Sequence, residues 1–154
     1  MSITKTRPRP PRIAVRAILL HDNRLLLVNA WQGRDNLFCA PGGGVEPHSS
    51  LPDNLAREVF EECGLKVDVG AVCLVNEFHD PDRAFHQIEI FFRCTLVEGD
   101  PEAEWTDPEG VVSQRRWVRE DEMSDIPHRP ASLASVAWGD EVRTVYDPLE
   151  RLWR

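Results

Sequence analysis

Residues 43–65 read GGVEPHSSLPDNLAREVFEECGL. The second half of this stretch carries the marks of one helix over 51–63. Ser50 stands three residues before Asp53, the spacing of an N-terminal capping box. Pro52 falls in the first turn, where its missing N–H costs nothing. Gly64 follows the last turn, where a left-handed cap is needed. Leu51, Leu55, Val59 and Cys63 recur every four residues and, joined by Ala56 and Phe60, form a stripe that should pack on a sheet. The other face is acidic. With Glu58 as reference, a step of about 100° per residue sets Glu61 at about 300° and Glu62 at about 40°. Like charges this close oppose the helix by about 0.2–0.5 kcal/mol per pair, and Arg57, four residues before Glu61, relieves one of them. Oxygen ligands clustered beside a glycine turn are what a hard divalent cation such as Mg²⁺ requires.

On both sides of this helix the chain reads as strands. RIAVRAILL (12–20) and RLLLVNA (24–30) flank a His21-Asp22-Asn23 turn, and LFCA (37–40) runs into Pro41-Gly42-Gly43-Gly44. VDVGAVCLVNEFH (67–79) and FHQIEIFFRCTLV (85–97) are long strands joined by DPDRA; in the second, Ile88, Ile90 and Phe92 alternate with Gln87, Glu89 and Phe91, which predicts one strongly buried face. QRRWV (114–118) reads as a last strand, after an acidic loop over 98–110. Residues 128–139 and 147–153 read as helical. The alternation predicts a parallel or mixed β-sheet with helices on it. Residues 1–12, with Lys5, Arg7, Arg9 and Arg12 among three prolines, read as an extended arm, leaving 13–154 as a single domain.

The chain has 154 residues, 26 acidic and 18 basic, for a formal net charge of −8. That balance argues against general nucleic-acid binding, which draws its affinity from neutralising phosphates. A phosphorylated ligand would need cations as a bridge. No run of 18 apolar residues is present to span a membrane, and the start MSITKTRPRPPR lacks the apolar core of a secretory signal. Cys39, Cys63, Cys73 and Cys94 form no C-x-x-C pair, which points to buried thiols in a reducing compartment rather than a zinc site. The expected location is cytoplasmic. The arm and the aromatic C-terminus, YDPLERLW, permit a homodimer without requiring one.

The stretch 43–65 resembles the signature box of the Nudix hydrolases, G-x5-E-x7-R-E-U-x-E-E-x-G-U, with U aliphatic. Gly43, Arg57-Glu58, Val59, Glu61-Glu62 and Gly64-Leu65 match it. The lead-in Phe38-Cys39-Ala40-Pro41-Gly42 and the later Arg116-Trp117-Val118, followed by Glu120-Asp121-Glu122, are similar to the family's flanking elements. One position departs: Ser49 stands where the box has its first glutamate, and Glu46 is not an evident replacement. The resemblance implies an α+β fold, a mixed β-sheet packed between helices as a Nudix-type α/β/α sandwich, and a hydrolase that cleaves a phosphoanhydride in a nucleoside diphosphate linked to another group, as in an ADP-ribose-like compound or a nucleoside triphosphate. It implies Mg²⁺, with Mn²⁺ as an alternative, on Glu58, Glu61, Glu62 and the Gly42 carbonyl. Arg57 would orient Glu61. The general base would be a glutamate of the box, such as Glu61 or Glu58, or one outside it, Glu109 first and Glu104 next.

A second reading, favoured by Ser49, is a catalytically weakened nucleotide-binding or sensor module; the intact R-E-x-x-E-E segment favours the enzyme. Pro81, 16 residues after Leu65, lies near the offset at which a proline marks ADP-ribose hydrolases of this family. Against that stands the shortness of the chain, and nucleoside triphosphates and dinucleoside polyphosphates stay open.

Overall fold

The computed structural model describes residues 9–30, 36–110, 112 and 114–152. Most of the expected arm, residues 1–8, lies outside them, but its last residue does not belong to an arm. Arg12 opens strand β1 (Arg12–His21), which turns through Asp22 and Asn23, both at positive φ, into β2 (Arg24–Asn29). Short strands β3 (Phe38–Cys39) and β4 (Gly42–Gly44) precede helix α1 (Leu51–Cys63). The long strands β5 (Lys66–Asp80) and β6 (Phe85–Glu98) are joined by a single 3₁₀ turn, Pro81–Arg83. Then come β7 (Arg115–Arg119), a 3₁₀ segment Glu120–Asp125, helix α2 (Leu133–Ala137) and β8 (Val145–Arg151).

The sheet is mixed and runs β3-β2-β1-β6-β5-β8, with β4 added to β1 and β7 to β2. β1 pairs parallel to β6 from Arg12↔Gln87 to Leu19↔Cys94, and β8 pairs parallel to β5; the other pairings are antiparallel. Alternation along the strands feeds two apolar clusters, one on each face. Val15, Ala17 and Leu19 of β1 meet Leu55, Val59 and Cys63 of α1 in one cluster. Ile18, Leu74 and Phe91 meet Leu133, Val136 and Ala137 of α2 in the other. This is the α/β/α arrangement that the resemblance implied.

Three expectations are corrected. Residues 147–152 are not helical, and position 153 of that expected helix lies outside the described residues. Val145 and Tyr146 pair with Leu74 and Val75, and a register shift between Asn76 and Phe78 takes up Pro148 and Leu149; a proline is tolerated in such an edge strand because its missing donor faces outward. Consequently β7 is not the last strand. Helix over 128–139 shrinks to Leu133–Ala137, since Pro130 disfavours helical geometry at the residue before it. Phe60 is not part of the buried stripe. It is 53% exposed and its ring lies 5.8 Å from that of Trp105.

The helix itself forms as its sequence requires. The Ser50 hydroxyl accepts from the Asp53 N–H at 3.1 Å, and Gly64 closes the last turn at φ 69°. Asn54 adds a contribution that its position alone does not announce. Fully buried, it donates to the carbonyls of Ser50, Ser49 and Glu46 and accepts from the Glu46 N–H. One side chain thereby clamps the 46–50 loop to the start of α1.

Candidate active site

The C-terminal half of α1 faces the glycine strand β4 across a cleft of about 260 Å³. Glu58, Glu61, Glu62, Gly42 and Glu109 all line it, so the structure brings together the acidic residues singled out in the box and its first outside candidate. Glu104 does not reach it. It sits beside Trp105 and Trp117 in a separate surface hollow. Pro81 lies exposed at the tip of the β5–β6 hairpin, outside the cleft's lining.

The floor requires glycines. Gly42 adopts φ 152°, and a side chain there would meet the Val15 carbonyl oxygen at 1.9 Å; one at Gly43 would meet the Glu58 carboxylate at 2.8 Å. The bare backbone of β4 thus lets the carboxylates approach the sheet. Glu62 Oε2 accepts from the Gly42 N–H at 3.0 Å. Burial pushes the Glu62 carboxyl up to about 8, with Glu58 and Asp107 adding to the rise against the pull of Arg16 and the Gly42 N–H. Burial also raises Glu58, with Glu61 and Glu109 contributing and Arg57 opposing. A carboxyl held uncharged by burial beside other acids is stabilised as a carboxylate when a cation arrives.

Arg57 does more than steady Glu61. Its Nη1 lies 3.3 Å from Glu58 and 3.4 Å from Glu61, and its Nη2 lies 3.1 Å from Asn54 Oδ1 and 3.8 Å from Glu46. Glu46 therefore stands at the arginine from within the loop, while Ser49 is exposed and meets Asn54 through its backbone carbonyl. Among the described residues, no three Asp, Glu, His or Cys side chains are grouped closely enough to hold an ion by themselves. The donor set still suits Mg²⁺, which takes one or two carboxylates and fills its remaining positions from water and substrate phosphate.

Several site residues were not singled out from the sequence. Asp107, 5% exposed, accepts from the N–H groups of Glu109 and Val112 and so shapes the loop that carries Glu109. Arg16 Nε lies 2.6 Å from Glu89 Oε2, and Gln87 Nε2 donates to the same carboxylate. Burial pulls the Arg16 pKa down, but Glu89, Cys39 and Glu62 outweigh it and the guanidinium stays charged. Gln87 and Glu89 are 3% and 5% exposed, so the polar members of the β6 alternation are more deeply buried than Ile88 and Ile90 beside them. Their signal was present as polar residues inside an otherwise apolar strand.

Helix, glycine strand and acidic cleft together define a class of protein. The Nudix domain model matches residues 10–139, and the chain belongs to the Nudix family. It is 33% identical over 97 residues to the ADP-ribose pyrophosphatase of Methanocaldococcus jannaschii, covering 60% of this chain and 56% of that protein. It is 31% identical over 111 residues to diphosphoinositol polyphosphate phosphohydrolase 2 of Rattus norvegicus, covering 71% of this chain and 58% of that one. The chain thus spans little more than half the length of either curated relative. In fold it is similar to a Nudix hydrolase from Nitrosomonas europaea, with a TM-score of 0.67 at 22% identity over 82% of this chain and 86% of that one. Among the described residues, no helix is long and apolar enough to cross a membrane.

Proposed function

We propose that this chain is a Mg²⁺-dependent hydrolase, Mn²⁺ being the alternative cation, which cleaves the phosphoanhydride of a nucleoside diphosphate linked to another group. The observation that carries the reading is Glu62, half-buried against the Gly42 N–H with its carboxyl raised to about 8 beside Glu58. An uncompensated carboxylate of this kind is costly unless a cation shares the site. Glu58 and Glu62, one helical turn apart, are the direct ligands, and Glu61 and the Gly42 carbonyl complete the protein's share. A divalent cation held there would neutralise the diphosphate and sharpen the electrophilicity of the attacked phosphorus.

The protein's own work is positioning. Arg57 holds Glu58 and Glu61 at a fixed spread. Glu109, on the loop braced by Asp107, is set to accept a proton from the attacking water. Glu61 and Glu58 are the box candidates for the same role. ADP-ribose is the favoured substrate, since one relative carries that activity by name. The test is hydrolysis of ADP-ribose, nucleoside triphosphates and dinucleoside polyphosphates with Mg²⁺ or Mn²⁺, with products identified. Cleavage at a phosphoanhydride that ceases on chelation supports the reading, and absence of hydrolysis across the panel overturns it.

A further inference from the structure

The carboxylate cleft does not end at the glycine strand. A second cavity of about 250 Å³ shares Arg12, Arg16 and Ala30 with it and is lined onward by Phe78 of β5 and by Phe85 and Gln87 of β6. Ligand pockets are typically roughly 300–1,000 Å³. Neither cavity reaches that range alone, but the pair does, so one extended ligand can occupy both.

The two ends differ in chemistry. The first is acidic. The second is walled by Phe78, Phe85, Gln87, Arg129 and Leu152. The two phenyl rings lie 5.9 Å apart and tilted, and the Arg129 guanidinium stands 4.6 Å over Phe78. Phe78 is buried, whereas Phe85 is half-buried at the start of β6 and offers its surface to the cavity. At the junction Arg12 lies against the glycine strand, where a side chain on Gly44 would meet its Nη2 at 2.5 Å. Arg12 donates to the neutral Gln87 Oε1 at 3.3 Å, while Arg16 donates to Glu89. Among the described residues Arg12 therefore brings a positive charge to the junction that no carboxylate in its hydrogen bonds offsets.

We propose that the second cavity is a base-binding site, in which a planar heterocycle stacks at Phe85 while Arg12 meets the phosphate that joins its ribose to the cleft. The proposal rests on the hydrolase reading for the phosphate's position. Stacking on aromatic and arginine faces is how proteins hold a base without a strict hydrogen-bond code. A ring densely substituted with phosphates would need cations on several sides and has no use for Phe78, Phe85 and Leu152. An alkyl chain has no use for Gln87, Arg12 and Arg129.

The test uses monophosphates, which cannot be hydrolysed at an anhydride, so it does not depend on turnover. AMP, UMP and the base-less ribose 5-phosphate are titrated calorimetrically into the full chain with Mg²⁺. At least one of the two nucleotides is expected to bind about ten-fold or more tightly than ribose 5-phosphate, the scale of one base–aromatic stack. Phe85→Leu, which keeps apolar bulk but loses the ring, should remove most of that difference, and Phe85→Trp should keep it. In hydrolysis of any panel nucleotide, the Phe85→Leu effect should appear in KM rather than kcat. Equal affinity for all three ligands, or native nucleotide affinity in Phe85→Leu, overturns the base site. Base-dependent binding without hydrolysis of any panel compound overturns the hydrolase reading and leaves the base site standing, while hydrolysis without base preference does the reverse.

Discussion

Glu62 and Gly42 are joined by a hydrogen bond of 3.0 Å from the backbone N–H of the glycine to the carboxylate. That bond ties the acidic end of α1 to the strand beneath it and favours the carboxylate, but burial outweighs it and makes the site sensitive to protons. The ordinary carboxyl value applies in the unfolded chain, and the folded value of Glu62 is about 8. Between the two the native state holds more protons than the unfolded state, so metal-free stability falls as pH rises through this window. A cation competes with the same proton. The gain in melting temperature on adding Mg²⁺ should therefore grow from pH 5.5 to pH 8.5, pH values chosen to span about that interval. Thermal denaturation at each pH, with and without Mg²⁺, checks this, and Glu62→Gln should flatten both dependences.

Glu58→Gln and Glu62→Gln each keep shape while removing a charge. Each should lower kcat/KM by about 10²–10³-fold, the scale of losing one electrostatic contributor to a transition state. Circular dichroism should remain native. Normal turnover in both variants would show that the cation is held elsewhere.

Val59 is wholly buried on the apolar side of α1, with Leu55 and Cys63. Val59→Asp would bury an unpaired charge and should cost about 3 kcal/mol or more. For a chain of this size that lowers the melting temperature by roughly 6–12 °C. An unchanged melting temperature would mean that the helix faces the other way.

At position 49, a carboxylate would sit beside the positive start of α1 and near Arg57. Glu46 already stands 3.8 Å from that arginine. Ser49→Glu should raise Mg²⁺ affinity and leave the cleaved bond unchanged, whereas Glu46→Gln should lower Mg²⁺ affinity in the native background and little in the Ser49→Glu background. The Mg²⁺ dependence of hydrolysis for the four proteins decides it. If Glu46→Gln acts equally in both backgrounds, the two carboxylates are independent.

Arg16 and Glu89 form an ion pair with side chains 18% and 6% exposed. Arg16→Met leaves Glu89 buried without its guanidinium and should cost about 3–5 kcal/mol. Arg16→Met with Glu89→Leu should recover much of that loss, because the stranded charge is gone. Urea denaturation of the single and double variants measures the difference.

The helix and its acidic face were legible because α1 is written in local terms: a cap at Ser50, a stop at Gly64 and an apolar period between them. The cleft was legible in part, since Glu58, Glu61 and Glu62 share one arc whatever surrounds them. What the periodicity hid lies where distant strands meet. Gln87 and Glu89 are the polar members of the β6 alternation, yet Arg12 and Arg16 from a strand some seventy positions earlier cover them. Phe60 sits at the edge of its stripe, where a few degrees decide between the core and Trp105. The Val145–Arg151 strand was lost because Leu149 and Leu152 imitate helical spacing, and only the pairing with β5 reveals otherwise.

The parallel match of β1 to β6 has a consequence for how the molecule comes into being. β1 leaves the ribosome before the rest of its sheet, and its partner over Phe85–Glu98 follows only after the whole of α1 and β5. Until then one flank of β1 is an open edge, rich in Val, Ile and Leu, of the kind that invites pairing with foreign strands. Closing so long a loop is slow compared with forming a helix. The young chain should therefore carry a finished α1 for some time before it has any cleft, and demand for chaperones should be greatest in that interval.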